Sequence, residues 1–136
     1  MSTVTTHVLD TARGAPAAGV PVRLERVSGS GAGEAGTGLA GTGETGTGET
    51  GTGLAGTEEI GRASTDADGR VSDLGPERLP AGTYRLVFDT AGYFAQQRTA
   101  GFFPEVAVTF TVDGEGQHYH VPLLLSPFGY STYRGS

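Results

Sequence analysis

Three histidines, His7, His118 and His120, are the residues of this chain best suited to chemistry near neutral pH. An imidazole has an ordinary pKa of about 6.5, so it can accept a proton from water and return one to a leaving group. His118 and His120 are separated by one residue. On a β-strand this spacing places two imidazoles side by side, which also suits a zinc ion. The residue types alone therefore allow either a general base or a metal ligand.

Period-two patterns place all three histidines on strands, on the faces that point away from the core. In the first segment one face carries Val4, Thr6 and Val8, and the other carries Thr5, His7 and Leu9. In the last segment the apolar face carries Tyr119, Val121, Leu123 and Leu125, and the other carries His118, His120, Pro122 and Leu124. Because leucines share the faces that carry the histidines, we expect these faces to be covered, most simply by a second subunit.

The rest of the chain is predicted to form short strands separated by turns. Alternation indicates strands near residues 20–25, 84–88 and 106–112, and turn residues lie at 13–16, 66–69, 80–82 and 113–114. Only residues 92–100, GYFAQQRTA, favour a helix. Seven or eight short strands with one short helix predict an all-β fold, an antiparallel β-sandwich.

Composition excludes several classes of partner. The 136 residues suffice for a single core, and a net charge of -6 disfavours binding to nucleic acid or to an anionic membrane surface. The chain has no cysteine, which removes disulfides and thiolate sites and suits a reducing compartment. It shows no secretory signal and no stretch approaching the ~20 apolar residues of a membrane span, so we expect a cytoplasmic protein.

A Gly/Thr-rich segment, residues 28–57, is predicted to be a loop inserted within the single domain 1–136. Its centre is a run of four pentads, GTGLAGTGETGTGETGTGLA. The spacing of Gly36, Gly38 and Gly41 matches G-x-G-x-x-G, but a dinucleotide site needs a strand before this motif and a helix after it. No helix-forming run follows, and the match recurs because the repeat recurs. This composition buries little apolar surface, so we expect a mobile, inert loop.

Several segments, taken in order, resemble the 5-hydroxyisourate hydrolase family, the relatives of transthyretin that degrade purines. They are THVLDTARGAPAAGVPVRLER, TDADGRVSDL, GTYRLVFDTAGYF, FFPEVAVTF and HYHVPLLLSPFGYSTYRGS. The final YRGS is the family's most diagnostic feature and separates the hydrolases from the hormone carriers. The resemblance implies a transthyretin-like sandwich of two four-stranded sheets. It also implies a homotetramer whose active sites lie in a channel between two dimers.

By motif position, the resemblance gives catalytic roles to His7, Arg70 and His120, and substrate contacts to His7, Arg70 and Tyr133, without metal or cofactor. The implied substrate is 5-hydroxyisourate, which opens to 2-oxo-4-hydroxy-4-carboxy-5-ureidoimidazoline in urate degradation when water attacks a ring carbonyl. A histidine can act as the base that takes a proton from water, and Arg70 can donate hydrogen bonds to the developing oxyanion. The Tyr133 hydroxyl can position the substrate ring by hydrogen bonding. The carboxylate of Ser136 is expected to orient a neighbouring group. Which histidine takes the proton stays open.

Two other classes of function compete with the hydrolase. One is a small-ligand carrier that uses the same central channel, as transthyretin does for hormones. The other is a structural β-sandwich module, in which Arg70 would merely close the turn after Asp68 and Gly69. The occurrence of His7, Arg70 and His120 together with the final YRGS favours the hydrolase.

Overall fold

The computed structural model describes residues 3–27 and 56–135. Its strands are β1 (Val4–Asp10), β2 (Ala15–Pro16), β3 (Pro21–Val27), β4 (Thr57–Ser64), β5 (Arg70–Val71), β6 (Gly82–Phe88), β7 (Val106–Val112), β8 (Tyr119–Ser126) and β9 (Gly129–Thr132), and its one described helix is α1 (Thr90–Gln96). The loop predicted over residues 28–57 lies outside the described residues except for its last two. Thr57 already belongs to β4.

The described strands form two sheets, which confirms the predicted transthyretin-like sandwich. The first sheet has the order β9-β8-β1-β2, and β5 also pairs with β1; the second has the order β4-β3-β6-β7. Thus the first sheet has five strands rather than four, because the two-residue β5 joins its edge. The β1–β8 pair is parallel, whereas the other described pairs are antiparallel. A parallel pair needs a long crossover, and here the whole second sheet provides it.

The core lies between the two sheets, where the alternating apolar residues meet. Val4, Val8 and Leu123 are fully buried from the first sheet, and Leu24 and Leu86 from the second. Burial of such a side chain contributes about 1.5–3 kcal/mol relative to leaving it exposed. The faces predicted for β1 and β8 are therefore confirmed, and the histidines lie on the outer side of the first sheet.

The helix is shifted from its predicted position: α1 spans Thr90–Gln96 instead of residues 92–100. It begins earlier because the Asp89 side chain caps it by accepting a hydrogen bond from the Gly92 amide. It ends earlier because Arg98 adopts a left-handed conformation, with φ of 55°. The amides of Thr99 and Arg98 then donate back to the last turn, in the pattern of a Schellman motif.

A buried carboxylate ties β1 to the helix. Asp10 is 2% exposed, and its Oδ2 accepts a hydrogen bond of 2.7 Å from the Tyr93 hydroxyl. Its Oδ1 accepts from the amides of Ala12 and Arg13. Burial raises the pKa of Tyr93, and the hydrogen bond to Asp10 raises it further, so this hydroxyl stays protonated and keeps donating.

Replacing Tyr93 by phenylalanine is expected to lower the free energy of unfolding by about 1.5–3 kcal/mol, since a buried carboxylate loses a hydrogen-bond donor. Urea unfolding at fixed protein concentration measures the change. The matched control is Tyr130→Phe, because Tyr130 is 42% exposed. Equal stability of the two variants would show that the Asp10–Tyr93 bond contributes nothing.

Candidate functional site

Most of the site residues predicted from the sequence lie on the outer side of the first sheet. In the parallel β1–β8 pair Thr5 lies opposite His120, and in the antiparallel β1–β5 pair His7 lies opposite Arg70. Residues that pair across strands point to the same face and lie close enough to interact. We call this surface the histidine face and define it by Thr5, His7, Arg70, His118 and His120. It brings together three of the four predicted site residues.

A surface cavity of about 250 Å³ opens on this face. Its lining residues are Thr5, Thr6, Arg70, Val71, Ser72, His118 and His120. His7 lies beside the cavity, next to Arg70 in register. The cavity therefore offers imidazole, guanidinium and hydroxyl groups to one small molecule, which are the groups needed to move a proton and stabilise an oxyanion.

One threonine hydroxyl links the two histidines of β8 and its lead-in. Thr5 Oγ1 lies 2.8 Å from His120 Nδ1 and 3.0 Å from His118 Nε2. The two rings stack, with centroids 6.4 Å apart and planes inclined by 24°. Thr5 is 6% exposed, whereas His118 is exposed and His120 is half-buried, so the contact lies at the boundary between the sheet and the cavity.

His120 is adapted to stay neutral near physiological pH. Burial of its ring is the main cause that lowers the pKa of His120. Charges on neighbouring groups lower this pKa further; these groups are His118, His7 and Arg70. Because Nδ1 is bonded to Thr5, Nε2 is the ring nitrogen left to act as a base.

A tight turn places Arg70 at the cavity. Asp66 Oδ1 accepts hydrogen bonds from the amides of Asp68 and Arg70, at 2.9 and 3.0 Å. The bond from the Arg70 amide is the main cause that lowers the pKa of Asp66. Gly69 adopts φ of +77°, and its carbonyl accepts from the Val8 amide. Arg70 thus closes the turn with its backbone and lines the cavity with its side chain.

The C-terminal segment supports His120 from the other side. The Gly135 amide donates to the His120 carbonyl at 2.8 Å, and a Cβ on Gly135 would lie 2.6 Å from His120 Cδ2. Arg134 lies over the Tyr119 ring at 4.7 Å and donates to Gln117. The backbone near the chain end therefore packs directly against the imidazole, where no side chain fits.

Tyr133 is the predicted site residue that this single chain does not bring to the histidine face. Its side chain is 58% exposed and lines a separate cavity of about 340 Å³ with Phe110 and Val121 among others. The role predicted for the carboxylate of Ser136 lies outside the described residues. The resemblance to the hydrolases predicts that Tyr133 lies in a channel between subunits. The structure contains one chain, so this position of Tyr133 stays a prediction.

Sequence reasoning missed two contributors, Thr5 and Gly135. Alternation along β1 places Thr5 on the same face as His7, so the sequence could have indicated that Thr5 lies near the site. Its contact with His118 and His120 follows from the parallel pairing of β1 with β8, which no local pattern specifies. Gly135 belongs to the site because its backbone packs closely against the His120 imidazole, and no sequence pattern indicates a contact between residues so far apart in the chain.

Within residues 3–27 and 56–135, no group of three or more His, Cys, Asp or Glu residues is arranged to hold a metal ion. No described helix is both long and apolar enough to cross a membrane.

Comparison with known proteins shows similarity along the whole chain. The model of the HIUase/Transthyretin family matches residues 4–135. A 5-hydroxyisourate hydrolase of Mus musculus is 40% identical over 136 residues, which cover 99% of this chain and 96% of the relative. The solved structure of Klebsiella pneumoniae 5-hydroxyisourate hydrolase has a TM-score of 0.72 and 32% identity, covering 99% of this chain and 100% of that one. Sea bream transthyretin in complex with thyroxine has a TM-score of 0.75 and 30% identity, and the match covers 98% of this chain and 94% of that one.

Proposed function

Because this chain belongs to the HIUase/Transthyretin family, we propose that it hydrolyses 5-hydroxyisourate to 2-oxo-4-hydroxy-4-carboxy-5-ureidoimidazoline in urate degradation. The observation that carries the proposal is the convergence of His7, Arg70 and His120 on the histidine face. The catalytic roles of these residues are part of the proposal. We place the reaction in the cytoplasm, which suits a chain without cysteine.

In this reaction His120 acts as the general base. Its Nε2 takes a proton from water as the water oxygen bonds to a ring carbonyl of the substrate. Negative charge develops on the carbonyl oxygen, and the Arg70 guanidinium donates hydrogen bonds to it. The tetrahedral intermediate then collapses, the ring C–N bond breaks, and the imidazolium returns the proton to the leaving nitrogen. His7, next to Arg70, and Tyr133 hold the planar ring by hydrogen bonding.

Assembly as a homotetramer is the second part of the proposal. The histidine face is open in one chain, and Leu9 and Leu124 beside it are only half-buried. A second subunit docked over this face would remove apolar surface from water and enclose the cavity. It would also allow the exposed Tyr133 of one chain to reach a shared channel.

Decay of the ultraviolet absorbance band of 5-hydroxyisourate tests the activity. Uricase generates the substrate from urate in the cuvette, and the protein is added when urate is consumed. We expect decay faster than the spontaneous rate in buffer, in proportion to protein concentration. Unchanged decay with retention of the ligand in a spin filter would favour the carrier, the function suggested by the similarity to thyroxine-bound transthyretin. Unchanged decay without retention would favour a structural module.

The acid limb of the pH profile of kcat/KM is expected to have its midpoint below the usual histidine pKa of about 6.5. Only neutral His120 accepts a proton, so activity falls as pH decreases through the folded-state pKa, and that pKa is lowered. Initial rates between about pH 5 and 8, corrected for spontaneous decay, measure the midpoint. A midpoint above the usual histidine value would contradict the assignment of His120 as the base.

A further inference from the structure

We propose that Thr5 is a positioning residue that fixes the tautomer of His120 and connects this imidazole to His118. The inference deepens the proposed hydrolase function and rests on it for its kinetic consequence. It starts from one hydroxyl oxygen that lies within hydrogen-bond distance of two ring nitrogens, His120 Nδ1 at 2.8 Å and His118 Nε2 at 3.0 Å.

The number of protons decides how these three groups can bond. A threonine hydroxyl has one proton, so it donates to one imidazole and accepts from the other. If Thr5 donated to His120 Nδ1, the proton of neutral His120 would sit on Nε2, and the nitrogen facing the substrate could not act as a base. If Thr5 donates to His118 Nε2, it accepts from His120 Nδ1–H, and His120 Nε2 keeps its lone pair. The base role of His120 requires this second arrangement.

His118 makes the second arrangement favourable by supplying the acceptor. Its Nε2 lies 3.0 Å from Thr5 Oγ1 and can accept a hydrogen bond from that hydroxyl. When His120 becomes cationic during the reaction, its Nδ1–H still donates to Thr5, and the hydroxyl dipole stabilises the charge. His118 therefore acts through Thr5 rather than on the substrate.

The fold holds this hydroxyl in place. Thr5 lies in the middle of the first sheet, 6% exposed, and its β-branched side chain has restricted rotation. Gly135 packs against the Cδ2 side of the ring, where an added Cβ would lie 2.6 Å from His120 Cδ2, and this close packing restricts movement of the ring toward the chain end. Among residues 3–27 and 56–135, the titratable and charged groups that face His120 are His7 on β1, Arg70 on β5 and His118 before β8. Each of these three side chains is an imidazole or a guanidinium, so none of them supplies a carboxylate that could fix Nδ1 in place of Thr5.

The test compares Thr5→Val, which keeps the shape and removes the hydroxyl, with Thr5→Ser, which keeps the hydroxyl. We expect Thr5→Val to lower kcat by about 10²-fold, the typical cost of a misplaced catalytic group, with little change in KM. Thr5→Ser is expected to keep most of the wild-type kcat. Thr109→Val is the matched control, since Thr109 accepts from Arg85 on the exposed side of the second sheet and its loss should leave kcat unchanged. Circular dichroism checks that each variant is folded.

Nitrogen-15 NMR of the histidine rings gives a readout that does not depend on activity. At a pH where His120 is neutral, we expect the wild-type ring to carry its proton on Nδ1, and the Thr5→Val ring to shift toward the Nε2–H form. A wild-type His120 protonated on Nε2, or a Thr5→Val enzyme with wild-type kcat, would overturn the assignment. If the wild-type protein does not hydrolyse 5-hydroxyisourate, the proposed function fails, and the tautomer measurement still decides whether Thr5 fixes His120.

Discussion

Replacing His120 by glutamine should lower kcat by ~10²–10⁴-fold, the usual contribution of a general base, and leave the fold intact. Glutamine has a similar reach and keeps a hydrogen-bonding side chain on the histidine face, but it cannot accept a proton from water. Removing the guanidinium in Arg70→Ala should cost ~10²–10³-fold, because the oxyanion loses its donor. His7→Ala should also lower turnover strongly. Stopped-flow decay of 5-hydroxyisourate measures all three.

Two controls separate a loss of chemistry from a loss of structure. All three residues lie outside the core, so each variant is expected to elute with wild type in size-exclusion chromatography. Arg78→Ala is the matched control for Arg70→Ala, since Arg78 is exposed and lines a different cavity with Leu79. Wild-type turnover in all three site variants would contradict the placement of the active site on the histidine face.

The strand faces could be predicted from the sequence because alternation is a local property. Val121 and Leu123 are buried and His120 is half-buried on the opposite face, as the period-two pattern indicates. The pairing of strands is not local. β1 and β8 are neighbours although more than a hundred residues separate them, so only the family resemblance, and not the pattern, brought His7 and His120 to one site.

The ends of elements were harder to predict than their faces. Residues 97–100 continue a helix-like sequence, but the left-handed Arg98 stops α1 before them. No glycine marks this stop, so the usual sequence signal for a helix end is missing. The two-residue β5 was likewise unpredictable from alternation, because it exists only where the Asp66 turn presents Arg70 to β1.

The candidate site residues also divide into those that the local sequence indicates and those that only the three-dimensional structure reveals. The types of His7, Arg70 and His120 indicate chemistry without any structure, whereas Thr5 has an ordinary residue type and acquires importance only from its distances to two imidazoles. Tyr133 is the opposite case: its motif predicts a role in the site, but in a single chain its side chain lines a cavity separate from the histidine face. The role proposed for Tyr133 depends on the proposed assembly.

Removing residues 133–136 is expected to abolish most of the activity. The truncation deletes the Gly135 amide that donates to the His120 carbonyl, the backbone that packs against the imidazole, and Arg134, which covers Tyr119. A solvated tail of four residues could be lost without effect. Loss of kcat with retained circular dichroism would support a site role for the chain end. A fully active truncated protein would show that the end contributes nothing to the site.

A single substitution isolates the part of this effect that acts through His120. In Gly135→Ala the new Cβ would lie 2.6 Å from His120 Cδ2, closer than atoms pack, and 3.3 Å from Pro122 Cγ, which is a tight contact. Either the imidazole or the chain end must move, and a displacement near 1 Å costs about 10²-fold in rate. Gly129→Ala is the matched control in the same terminal hairpin, because the nearest atom to its Cβ is Ser126 Oγ at 3.8 Å, an ordinary contact. We expect Gly135→Ala to lose kcat and Gly129→Ala to keep it. If both variants keep wild-type kcat, the close packing of Gly135 on His120 does not position the base.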